Sequence, residues 1–182
     1  MTEAREDSLF RWGTLKALGA EELAYKDPVL GTRYDVELVS GMTIHVWRSL
    51  DGQQYFCHGL TFGGIRAPGG AISPFSGTPV ETILRGHYDF VPNDMHARTS
   101  DILVCRGVPG ALEGTTPHSA ILTAVVWTPG RAYLDCEATR LQTKNGITPE
   151  RNSSLGELFA LYGETYDIYR RQPPGPDSEN EP

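Results

Sequence analysis

The chain predicts an α+β fold, in which a few helices are set against an antiparallel sheet. Three observations predict it. Two alternating runs, 34–39 and 42–47, are separated by little more than Ser40-Gly41, a hairpin signature. Two apolar runs, 102–105 and 120–127, have strand length and are bounded by turn formers. Two helix-start signatures, at Thr78 and Ser154, are interspersed among the strands.

Taken in order, residues 1–30 read as a mixed N-terminal extension with a short helix around 15–25. The hairpin follows, and Ser49-Leu50-Asp51-Gly52 turns the chain into the run YFCHGLTF at 55–62. That run places Cys57 at the edge of a glycine-containing turn, just before an apolar segment, and so in the first turn of a solvent-facing helix. A helix N-terminus favours negative charge, so a thiol there is expected to have a lowered pKa. Residues 63–77 hold five glycines and two prolines and read as a loop, either lining a cleft or making a plain surface excursion. Thr78 is a good N-cap, Pro79 suits the first helical position and Glu81 completes a capping box, for a helix stopping near Gly86.

Ser100-Asp101 leads into a buried strand at 102–105, and 107–117 is loop. A strand at 118–127, a turn at Thr128-Pro129-Gly130 and a returning strand at 132–136 form a second hairpin. Asn145-Gly146 marks a turn, and Ser154 with Glu157 caps a short helix ending at Gly163. Residues 165–169 form a last strand. From Gln172 the chain is Pro, Gly and acidic residues, the composition of a disordered tail. The expected organisation is one domain over 1–171, with 1–30 as its extension, and a tail over 172–182.

A length of 182 residues, 39% of them hydrophobic, suffices for one domain with a substantial core. The net charge of −7 and the lack of a basic block argue against nucleic acid as a partner. The first ten residues contain no apolar signal-like stretch, and no apolar run is long enough to span a bilayer. The expected setting is cytoplasmic, or secreted by a specialised system without a cleaved signal, with no membrane partner. Three cysteines, an odd count, argue against a disulfide framework. Nothing in the spacing of Cys57, His58, Cys105 and Cys136 asks for zinc, and no metal or organic cofactor is implied.

A cysteine hydrolase needs a thiolate, a base, a group that orients the base, and donors for an oxyanion. Cys57 is the candidate nucleophile. His118, at the mouth of the most apolar strand, is the candidate base. A turn centred near Pro129 and Gly130 reflects His118 onto about position 141, which makes Gln142 the provisional orienter, with Thr139, Thr143 and Lys144 as rivals. Gln53 or Gln54, upstream of the cysteine, could supply an oxyanion amide or simply belong to a solvated loop. His58 either shapes the site or caps the helix. Lys144 either meets an acidic substrate group or belongs to the turn at Asn145. Cys105 and Cys136 read as core residues, and His45, His87 and His96 as surface ones. Taken alone, Cys57 reads as a buried structural thiol.

Three segments resemble a known family. Cys57-His58-Gly59-Leu60 resembles the Cys-Ser-Gly-Leu nucleophile motif of the NlpC-like, papain-fold cell-wall peptidases. Ser100-Asp101-Ile102-Leu103-Val104 resembles that family's Gly-Asp-Leu-Val strand, and Pro117-His118-Ser119-Ala120-Ile121 its His-Val-Gly-Ile strand. All three stand in the family's order, over about half the chain. Phe56 and His58 occupy positions where the family usually has Asp and Ser.

The resemblance implies a papain-like fold whose nucleophile helix packs on an antiparallel sheet. It implies a thiol peptidase or amidase in which Cys57 attacks an amide carbonyl, His118 serves as base and then acid, and the Cys57 N–H helps hold the oxyanion. The substrate would be a peptide or a peptidoglycan-like amide, and a bacterial effector with a protein partner or inhibitor is one setting that fits. Two alternatives stay open. One is a catalytically inactive papain-fold binding module. The other is an acyltransferase or deamidase-type toxin using the same Cys-His pair.

Overall fold

Among the described residues strands outnumber helices, and they assemble into two antiparallel sheets. The computed structural model describes residues 13–17, 32–38, 40–48, 57–62, 72–74, 77–107, 116–145 and 148–173. The first sheet contains β1 (Gly13–Ala17), β2 (Thr32–Leu38), β3 (Thr43–Arg48) and β4 (Ile72–Pro74), in the order β1-β2-β3-β4. The second contains β5 (Tyr88–Val91), β6 (Ile102–Cys105), β7 (His118–Ala124), β8 (Arg140–Thr143), β9 (Arg151–Ser154) and β10 (Tyr166–Arg171). Its order is β5-β10-β6-β7-β8-β9, antiparallel throughout. Among the described residues the α-helices are α1 (Cys57–Phe62), α2 (Gly77–His87) and α3 (Leu155–Tyr162). The α+β class expected from the sequence is the class observed. Among the described residues no helix is long and apolar enough to cross a membrane.

The six-stranded sheet is buried on both faces at its central strand β6, which explains the unbroken apolar run there. Ile102 and Val104 join one core with Phe62 of α1 and Val80, Ile83 and Leu84 of α2. Leu103 and Cys105 join the other, with Ala120 and Leu122 of β7, Leu141 of β8, and Leu155 and Leu158 of α3.

Several local signals act as expected. Gly41 closes the β2–β3 hairpin at φ +79°, a left-handed backbone that glycine adopts without penalty. Ser154 and Glu157 form a reciprocal capping box on α3. Gly163 ends that helix at φ +78°, and a Cβ there would come within 2.8 Å of the Gly107 carbonyl oxygen. Ser100 holds φ +77° just ahead of β6, and Asp101 beside it is buried, accepting from the Arg98 N–H and from Arg170.

Other expectations need correction. Leu15, Lys16 and Ala17 belong to β1 rather than to a helix, because they pair with Tyr34, Asp35 and Val36 of β2; tertiary pairing outweighs local propensity. The glycine-rich loop contains β4, paired with β3. Glu81 does not serve a capping box, since its carboxylate pairs with Arg106 and Thr116. The returning strand expected at 132–136 contributes a single bridge, Trp127 to Leu134, and the strand that pairs with β7 is β8. Strands β5 and β9 went unread. Residues 1–12, Gln53 and Gln54, and the expected tail from residue 174 lie outside the described residues.

Candidate active site

Cys57 is the first residue of α1, which lies along β7. Its sulfur is not solvent-facing, because the residue is only 8% exposed. Burial pushes the thiol pKa above its ordinary value, while the backbone N–H groups of Ser119, His58 and Cys57 itself oppose the rise. The expectation of an exposed, acidified thiol is therefore overturned. The helix-terminal donors are present, but desolvation of the charged form is the larger effect.

His118, the first residue of β7, is 1% exposed. Its Nε2 lies 2.7 Å from Thr143 Oγ1, and its ring stacks on Tyr162 at a centroid distance of 3.9 Å and 13° between planes. Tyr162 in turn donates its hydroxyl to Asn145 Oδ1 at 3.1 Å. Burial, then the neighbouring His58 and Arg151, push the imidazole down to about 3. Among the described residues Nδ1 has no hydrogen bond, so one ring nitrogen is anchored and the other is open.

The residue that meets His118 is Thr143, not Gln142. Ile121 pairs with Gln142, so the register places Asn145 opposite His118, with Thr143 on the same face and Gln142 on the other. The Gln142 amide instead donates to Glu150 at 2.5 Å. The register differs from the expected one because residues 125–139 do not form a tight hairpin. A bulge interrupts pairing between Leu122 and Ala124, and the Asp135 carboxylate closes a second turn by accepting the N–H groups of Glu137 and Ala138.

Helix α1 is tied to the start of β7, where His118 stands, through the contacts of His58 with Ser119 and Thr116. Alternation turns Ser119 towards α1 and His118 towards α3, on opposite faces of the strand. Of the N–H groups that hold the thiol pKa down, that of Ser119, the residue next to His118, has the largest effect. Cys57 is near enough that a thiolate there would help raise the pKa of Cys105, the cross-strand partner of His118, and of Tyr162, which stacks on His118, although burial is the larger cause at both. Among the described residues no hydrogen bond joins Cys57 to His118.

The remaining candidates divide. His58 is buried between α1 and β7, with Nδ1 2.8 Å from Ser119 Oγ and Nε2 2.9 Å from the Thr116 carbonyl. Lys144 turns away from the site to donate to the Thr148 carbonyl at 2.5 Å. Burial pushes Lys144 down, while Glu150 nearby opposes the shift. Cys105 is a core thiol, pushed up to about 12 by burial and by Cys57. Among the described residues no group of three or more His, Cys, Asp or Glu side chains is arranged to hold a metal.

Sequence reasoning missed a polar cluster behind His58. Arg106 donates to Glu81, to Asp167 at 2.8 Å, to Thr116 Oγ1 at 2.9 Å and to Tyr169 at 3.1 Å. These contacts link residues far apart in the chain, and no local pattern encodes them. Tyr162 was equally hidden, whereas strand parity carried a signal for Thr143.

No protein-family model, no curated protein and no solved structure matches this chain.

Proposed function

We propose that the protein is a papain-like thiol hydrolase acting on an amide or peptide bond, with Cys57 as nucleophile and His118 as base. One observation carries it. Cys57 opens a helix that packs along β7, and His118, the first residue of β7, is anchored at Nε2 by Thr143 while Nδ1 makes no hydrogen bond among the described residues. The arrangement fits the NlpC-like pattern: a nucleophile helix against an antiparallel sheet, a base opening a strand, and a left-handed residue, Ser100, where that family has glycine.

In the proposed reaction Cys57 Sγ attacks the carbonyl carbon as its proton passes to His118 Nδ1. The Cys57 N–H stabilises the oxyanion, and His118 returns the proton to the departing amine. Water, with its proton taken by His118, then releases the acyl group. Thr143 is a positioning residue that holds the ring. Both partners start neutral, because the thiol is shifted up and the imidazole down. The sulfur and Nδ1 must close to hydrogen-bond distance when substrate binds, as catalytic contacts in free enzymes commonly do.

Alkylation of Cys57 by iodoacetamide, followed by mass spectrometry against pH, tests the pair. A coupled neutral pair maintains a small, constant fraction of thiolate–imidazolium between the two titrations. The expected profile is therefore flat from about pH 4 to the raised thiol pKa, falling below as His118 protonates. His118→Ala should lower that plateau by on the order of 100-fold, the usual scale of base assistance. An unchanged profile in His118→Ala would refute the hydrolase. The burial of Cys57 favours a second function, a binding module with an inert thiol, and the unchanged profile is its signature.

A further inference from the structure

His58 immediately follows the nucleophile, and both of its ring nitrogens are engaged by β7 and the residue leading into it. Nε2 lies 2.9 Å from the Thr116 carbonyl, and Nδ1 lies 2.8 Å from Ser119 Oγ. Thr116 and Ser119 bracket His118 in the chain. One imidazole on the nucleophile helix therefore grips the segment carrying the base on both sides of it.

The protonation pattern is definite. A carbonyl only accepts, so Nε2 carries the proton. Burial holds the ring neutral, down to about 4, so Nδ1 accepts from the Ser119 hydroxyl. Ser119 Oγ also lies 3.0 Å from Thr61 Oγ1, and Thr61 Oγ1 lies 3.0 Å from the Cys57 carbonyl; with the Ser119 hydroxyl donating to His58 Nδ1, the Thr61 hydroxyl donates to one of these two oxygens. The contacts thus return to the backbone of the nucleophile itself.

The grip is fixed from outside as well. Thr116 Oγ1 bonds Glu81 of α2 and Arg106 at the exit of β6. Arg106 is tied in turn to Asp167 and Tyr169 of β10. The charged and titratable groups around His58 are therefore Glu81, Arg106, Asp167, Tyr169, His118 and Cys57.

We propose that His58 is a positioning residue, which sets the approach of the Cys57 sulfur to His118 by clasping the nucleophile helix to the base strand at Thr116 and Ser119. The proposal rests on the Cys57–His118 pair acting together. It assigns His58 no contact with substrate.

The test uses the full chain, with iodoacetamide as probe and the flat region of the Cys57 rate as readout. Cys136, half-buried and outside the hydrogen bonds of the clasp, reports general loosening in the same molecule. His58→Leu should lower the Cys57 plateau about tenfold, and Ser119→Ala about fivefold, the scale of one or two neutral hydrogen bonds. His58→Gln keeps a donor for the Thr116 carbonyl and should stay within about threefold of the wild type. Cys136 should react at an unchanged rate in all three.

If His58→Leu fails to fold, Ser119→Ala decides alone. Plateaus unaltered in both variants, with His118→Ala still strongly slowed, overturn the clasp and spare the pair. A fall in Cys57 reactivity matched by faster Cys136 alkylation also overturns it, in favour of plain loss of packing. No response to His118→Ala overturns both proposals.

Discussion

The two faces of the six-stranded sheet each bury an imidazole near the start of β7, and they treat it differently. On the α1 face, His58 has both ring nitrogens engaged, by Ser119 and by the Thr116 carbonyl. On the α3 face, His118 has Nε2 held by Thr143 and its ring covered by Tyr162. A ring with two satisfied nitrogens is a strut, since taking a further proton would disrupt a bond already made. A ring with one anchored and one open nitrogen is oriented and still able to accept a proton. The sequence presents two histidines beside apolar segments, and only the bonding pattern separates their roles.

The largest expected effect tests what the two rings share, which is burial in the neutral form. The unfolded chain binds protons at both histidines near pH 6.5, and the folded protein resists until about pH 4 for His58 and about pH 3 for His118. The stability tied to neutral burial is full above pH 6.5 and is lost as pH falls from there towards 4. The expected slope is about 1.4 kcal/mol per pH unit for each histidine, before acidic residues add their own dependence. Urea melts at pH 7, 6, 5 and 4 measure it, and His58→Gln should remove about half of the histidine contribution. A slope untouched by that change would mean that His58 is not buried neutral.

Next in size is the cluster behind the strut. Arg106→Met leaves Glu81 and Asp167 partly buried without their cation and should cost about 2–4 kcal/mol in chemical denaturation. A loss under about 0.5 kcal/mol would show that solvent already serves those carboxylates. Thr143→Val is smaller. It removes one hydrogen bond to His118, worth about 1 kcal/mol, and should lower the Cys57 alkylation plateau about fivefold. Gln142→Ala, on the opposite face of the same strand, should leave that plateau alone. An effect of Gln142 equal to that of Thr143 would contradict the register.

The smallest effect sharpens the α3 side. Arg151 stands opposite Thr143 in the β8–β9 ladder, and its charge helps to depress His118. Arg151→Gln should move the acid limb of the alkylation profile upward by a few tenths of a pH unit, the scale of an exposed charge acting through solvent. A downward movement would be the wrong sign for the arrangement.

Much of the local architecture was legible. Ser154, Glu157 and Gly163 define α3 because capping chemistry is local. The bounds of β6 were read correctly because a strand buried on both faces is apolar throughout. Cys57 and His118 stand out in the sequence because each borders an apolar segment, and the structure makes them the first residues of α1 and β7. What the sequence hid was long-range. The partner of His118 depended on the bulge and the second turn within 125–139, and neither has a strong local signature. The thiol pKa depended on burial by other elements, so a helix-start argument gave the opposite direction. Glu81 looked like a capping residue because its true partner, Arg106, is remote in the chain.

Strand β9 escaped notice for a reason that bears on how the protein behaves among copies of itself. Its residues, Arg151, Asn152, Ser153 and Ser154, lack the alternating apolar pattern of a sheet interior, and it ends the six-stranded sheet. An open sheet margin offers unpaired peptide groups to any neighbouring chain, and greasy margins nucleate amyloid-like stacking. A charged and hydroxylated border gives such a neighbour little apolar area to bury. The composition that made β9 invisible to pattern reading also makes it a poor seed for aggregation.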